Sequence, residues 1–65
     1  MAVKGWSDMK ALEGKRVRVT INYANPLVMA EGILVSLDED GEVALEKPDG
    51  SVKWSWPALE MEELP

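Results

Sequence analysis

A chain of 65 residues with a formal charge of −5 and neither cysteine nor histidine excludes several classes of protein at once. No disulfide or thiolate metal site is available, and the commonest general base and zinc ligand is missing. One small domain spanning 1–65 is expected, its core resting on aliphatic residues and three tryptophans, with self-association as a ready way to bury more apolar surface.

The first predicted element is a short helix over 7–13. Ser7 is a suitable N-cap, Asp8 places negative charge in the first turn, and Gly14 suits a left-handed position after the end. Trp6 is placed to staple onto Ala11. So short a helix persists only by docking Met9 and Leu12 onto something larger.

Strict alternation then predicts a strand over 15–22, with Val17, Val19 and Ile21 on one face and Arg16, Arg18 and Thr20 on the other. Tyr23-Ala24-Asn25-Pro26 breaks it. A long strand follows over 27–37, but its pattern slips out of phase, since Leu27 and Met29 share a face with Glu31. Gly32 marks a bulge or bend there, which would let one strand serve both walls of a barrel.

Asp38-Glu39-Asp40-Gly41 predicts a tight turn into a strand over 42–47 with Val43 and Leu45 inward. Lys47-Pro48-Asp49-Gly50 makes a second turn into a strand over 51–56. Pro57 ends that strand, a single 3₁₀ turn covers Pro57-Ala58-Leu59, and a closing strand over 60–64 points Met61 or Leu64 inward. The expected fold is mainly β: a small, strongly bent, five-stranded antiparallel barrel with a short N-terminal helix.

Gly14-Lys15-Arg16-Val17-Arg18-Val19, Gly32-Ile33-Leu34, Asp38 and Leu45 together resemble the first motif of the Sm-like small β-barrels, relatives of the Src-homology-3-type barrel. The resemblance covers roughly the first two-thirds of the chain. Sm-like proteins that bind uridine-rich RNA carry an Asn in the turn after the Asp and an Arg-Gly element before the last strand. Here those places hold Glu39-Asp40-Gly41 and Ser55-Trp56-Pro57-Ala58. The resemblance therefore implies the barrel and leaves the family's ring-forming edge pairing open, without its RNA site.

The charge is split along the chain. Residues 1–22 hold five basic side chains against two acids, whereas residues 23–65 hold Lys47 and Lys53 against ten acids. A net acidic chain is a poor phosphate binder, so nucleic acid is an unexpected partner. The split suits a cationic partner or head-to-tail contact between copies. No apolar run reaches the length of about 20 residues that spans a bilayer. The N-terminus lacks the apolar core of a signal peptide, and a cytoplasmic protein is expected.

Four features are candidates for function. The acidic turn reads as a solvated hairpin tip, because Gly41 arrives too early for a calcium loop. Trp54, mid-strand, reads as core, while Trp56 stands between core and a rim or interface position. Trp56 with Tyr23 and Trp6 offers an aromatic platform for a cationic or proline-rich peptide or a small planar ligand. Arg16 and Arg18 form a basic stripe that reads as a solvated face or as salt-bridge partners.

No constellation of nucleophile, base or metal ligands is present, and no enzyme, cofactor or metal site is expected. The favoured expectation is a non-catalytic barrel acting through protein–protein contacts, as a homo-oligomer or with another protein. The alternative is a ligand-capturing module built on the exposed aromatics. In size and in lacking catalytic residues the chain is also similar to small accessory proteins of bacteriophages.

Overall fold

The computed structural model describes residues 2–22 and 27–65, with the backbone alone at Asn22, Ser55 and Trp56. Its elements are β1 (Ala2–Val3), α1 (Trp6–Lys10), β2 (Arg16–Asn22), β3 (Val28–Leu37), β4 (Glu42–Glu46), β5 (Val52–Pro57) and β6 (Glu60–Glu63). All six strands lie in one antiparallel sheet, in the order β1-β6-β2-β3-β4-β5. A mainly β chain with one short helix was expected. The expected five strands become six, because Ala2–Val3 pairs with β6 and is too short to show a period. The sheet is not closed, and β1 and β5 are its two edges.

The helix differs from the sequence reading at both ends. Gly5, and not Ser7, is the N-cap, without a side-chain cap. The regular helix stops at Lys10 and tightens into successive i→i+3 turns, with the N–H groups of Leu12, Glu13 and Lys15 donating to Met9, Lys10 and Leu12. Trp6 opens the helix, and its indole Nε1 donates to the Asp38 carbonyl at 2.7 Å. The sheet thus recruits the ring that the sequence pattern offered to a local staple. Met9 is buried and Leu12 packs against the core, as a docked helix requires.

The phase slip in the long strand has a different cause from the one its glycine suggests. Ala30, Gly32 and Leu34 fall on the inward phase, and after Val35 the phase changes so that Leu37 is buried. The β3–β4 register shifts between Leu34 and Ser36, whereas β2 pairs regularly through Gly32. The bulge is therefore near Val35, and Gly32 answers a close approach of backbone. A Cβ there would lie 2.7 Å from the Glu46 carbonyl oxygen.

The core comprises Met9, Val17, Val19, Leu34, Leu37, Val43, Leu45 and Met61, with Val3, Ile21, Ala30 and Ala58 against it. Of the two candidates on the last strand, Met61 is the inward one. Between β5 and β6 there is a bend and no 3₁₀ turn. Ala58 N–H donates to the Gly41 carbonyl and Leu59 N–H to that of Thr20, both at 2.9 Å. Two residues thus carry the chain from the edge strand β5 to β6, beside β2 and near the other edge.

Candidate functional site

The second hairpin sets the face that each β5 side chain occupies. Lys47 N–H donates to the Ser51 carbonyl at 2.8 Å, and Gly50 N–H closes the turn onto the Lys47 carbonyl at 2.9 Å. From that turn the register runs Glu46 opposite Val52, Leu45 opposite Lys53 and Ala44 opposite Trp54. Leu45 is core, so Lys53 takes the inner face and Val52 and Trp54 take the outer one.

Trp54 is therefore 53 % exposed. The reading of Trp54 as core is overturned, because the sequence periodicity of β5 matches the outer face and the strand lies at the sheet edge. Val52 (51 % exposed), Val35 (48 %) and Ile33 (40 %) are also open to solvent. Ile33, Glu46 and Val52 form one cross-strand row with Arg16, and Ser36, Ala44 and Trp54 form the next. Ala44 is buried on this face. An apolar outer strip thus runs from β3 across to the free edge.

Arg18 shows where the charge split of the sequence goes. Its guanidinium sits between Glu31 (2.8 Å) and Glu62 (3.6 Å), the residues opposite it on β3 and β6. The Glu31 carboxylate raises the Arg18 pKa above its ordinary value through a charge-assisted hydrogen bond. Lys4 approaches Glu60 at 4.0 Å and Lys15 approaches Glu63 at 3.7 Å. The basic N-terminal part meets the acidic β6 within one molecule, so this much of the asymmetry is not left for a neighbour. Arg18 is a salt-bridge partner, as one reading of the stripe expected. Arg16 is exposed and lines a shallow depression of about 250 Å³ with Ile33, Glu46 and Pro48.

The other candidates do not gather into one platform. Trp6 is at the opposite end of the β3–β4 hairpin, beside Asp38, with the Lys10 ammonium 5.8 Å from its ring centroid. Tyr23 lies outside the described residues, as does the Trp56 side chain. The Asp38 carboxylate accepts from the N–H groups of Asp40 (3.0 Å) and Glu42 (2.8 Å), which makes it the organiser of its own turn. Asp49 does the same for the second turn. Its pKa lies below the ordinary value, chiefly through the hydrogen bond from the Ser51 hydroxyl.

Among the described residues, no three carboxylates converge on a metal-sized site. A larger open groove of about 750 Å³ lies between the first half of β3 and the second hairpin, lined by Ile21, Val28, Glu31, Lys47, Lys53 and Trp54 among others. Among the described residues no helix is long and apolar enough to cross a membrane.

What sequence reasoning missed is the face of Trp54 and the importance of Val52 and Ile33. The available signal was the length of the Lys47–Ser51 turn, which fixes parity across the hairpin. Comparison with protein families, curated proteins and solved structures finds no match for this chain.

Proposed function

We propose that this chain is a non-catalytic protein-contact module that self-associates, built on a small barrel of the Sm-like or Src-homology-3 type. The observation that carries the reading is Trp54, a large aromatic left half exposed on the edge strand beside Val52 and near Ile33 and Val35. Aromatic residues in exposed apolar clusters are characteristic of contact surfaces. The barrel reading is supported by the two-residue passage from β5 to β6 and by the hydrogen bonds of Ala58 and Leu59. Self-association now rests on the apolar edge, since the charge asymmetry is largely satisfied within the molecule.

Light scattering across a size-exclusion peak tests the reading. A mass that rises above the monomer with concentration is expected, and Trp54→Lys should return it to the monomer while leaving the circular dichroism of the fold unchanged. A monomer throughout the micromolar range would overturn it.

One observation favours a second reading, capture of a cationic peptide. Glu46 shares the outer face with Trp54 and makes no ion pair among the described residues, so the two offer an anionic and a π surface side by side. A change in tryptophan emission on titration with an oligolysine peptide, lost in Trp54→Ala, would support it.

A further inference from the structure

Resting on the self-association reading, we infer that the second copy docks by antiparallel pairing of β5 with β5 about a two-fold axis at Trp54, joining the two sheets edge to edge. The argument begins with the edges. β6 is covered by β1 through Ala2 opposite Glu62 and Val3 opposite Met61, and β1 itself offers only two residues. The unpaired first half of β3 faces the groove, where the Lys47 ammonium already donates to the Glu31 carbonyl at 3.3 Å. Among the described residues, β5 is the long edge left open. One open edge pairs only with its own copy, so assembly closes at two instead of growing head to tail.

The ladder supplies the bonding groups. The Lys47-to-Ser51 hydrogen bond makes that pair a bonded one, and alternation makes Leu45 with Lys53 the next. The N–H and C=O of Val52 and Trp54 consequently point to the free edge. An extended strand arriving there gains main-chain hydrogen bonds, and the outer strip of Val52 and Trp54 continues into its symmetry mate.

Lys53 selects the register. A charge on an edge strand ordinarily keeps edges apart, and an axis at Lys53 would place two ammonium groups directly opposite. An axis at Trp54 sets the two Trp54 side chains face to face on the outer surface, where an aromatic pair is favourable. The two Lys53 residues then stand offset on the other face, with Cα atoms roughly 8 Å apart.

The chain contains no cysteine, so single-cysteine variants read this geometry without background. Across the axis the Trp54 Cα atoms lie about 5.5 Å apart, within disulfide range, whereas the offset at Lys53 exceeds the limit of about 7 Å. Mild oxidation should cross-link Trp54→Cys into a dimer at least tenfold faster than Lys53→Cys or Val52→Cys. Because Trp54→Cys removes the aromatic pair, a second measurement keeps Trp54. A nitroxide on Lys53→Cys should show one narrow inter-label distance in dipolar spectroscopy, below roughly 20 Å. A monomer by light scattering overturns both this inference and the reading beneath it. A dimer with long or several label distances, or a ladder of larger species, overturns the two-fold pairing alone.

Discussion

The carboxylate of Glu13 accepts the backbone N–H of Leu37 at 3.2 Å and thereby completes a strand that β2 leaves uncovered. β2 begins at Arg16, opposite Ile33, so the last residues of β3 project past its start. Gly14 and Lys15 bond to Leu34 there, with Gly14 N–H donating to Leu34 and Leu34 N–H to Lys15. Glu13 extends that cover to Leu37. The same carboxylate receives the Lys10 ammonium at 2.7 Å, and Lys10 also donates to the Leu37 carbonyl at 3.2 Å. With the Trp6 indole on Asp38, α1 and the turns that follow it are fastened to the β3–β4 hairpin at three points.

Glu13→Ala removes the acceptor and leaves the Leu37 N–H part-buried without it. The expected outcome is a lower urea midpoint and a red-shifted Trp6 emission, isolated by comparison with Trp6→Phe. Glu13→Gln keeps a carbonyl acceptor and should lose less. Equal midpoints for the parent, Glu13→Ala and Glu13→Gln would show that the Glu13 contact adds nothing to the docking of α1.

The same group gives a pH dependence of definite sign. The Lys10 hydrogen bond is the main cause holding Glu13 below its ordinary pKa, with the Leu37 amide adding to it and desolvation opposing. A depressed carboxyl stabilises the fold above the unfolded value, about pH 4.3. That contribution is lost as pH falls through the lower folded value. Acid titration of Trp6 emission should therefore show α1 loosening below about pH 4 in the parent protein. Glu13→Gln should show no such step, and a step of equal size in both proteins would assign it to Asp49 or another carboxylate.

Much of the sheet was legible because its strands are short and bounded by turn residues. The alternation of Arg16 to Ile21 and the two hairpin turns gave the order and nearly the bounds of β2 to β6. Val17, Val19 and Leu45 are core as their spacing implies, and of Met61 and Leu64, between which the spacing does not choose, Met61 is core. Two things escaped for physical reasons. Periodicity tells which residues share a face but not which face points inward. On β5 the Lys47–Ser51 turn puts Lys53 on the phase of Leu45 and Trp54 on the other, although Lys53 itself stays exposed. The two residues of β1 carry no period at all, and they gain a place only because β6 offers an edge. The candidate site is thus half visible: the spacing marks the tryptophans of β5, but not that Trp54 faces solvent.

Arg18 lies in a cross-strand row with Glu31 on one side and Glu62 on the other. Arg18→Glu would line up three like charges across neighbouring strands, which destabilises directly opposed pairs. The urea midpoint should fall, and the loss should shrink as salt is raised, because the Debye length drops from about 30 Å at 0.01 M to about 3 Å at 1 M. Arg18→Met keeps the aliphatic cover and removes the charge, and it should fall between the two. A loss independent of salt would mean that the side chain acts by packing its stem.

At Gly32 the β4 backbone approaches β3 closely. An added Cβ would meet the Glu46 carbonyl oxygen at 2.7 Å and the Leu45 Cβ at 3.2 Å. Two effects oppose each other in Gly32→Ala. The loss of backbone freedom in the unfolded chain favours alanine by roughly 0.5–1 kcal/mol. Overpacking costs about 1–3 kcal/mol, and the nearest atom is backbone, which has no rotamer to move into. The clash should win. A lower urea midpoint with an unchanged slope is expected, since the loss lies in the native state and not in the surface exposed on unfolding. A midpoint equal to or above that of the parent would show that β4 shifts freely at Glu46.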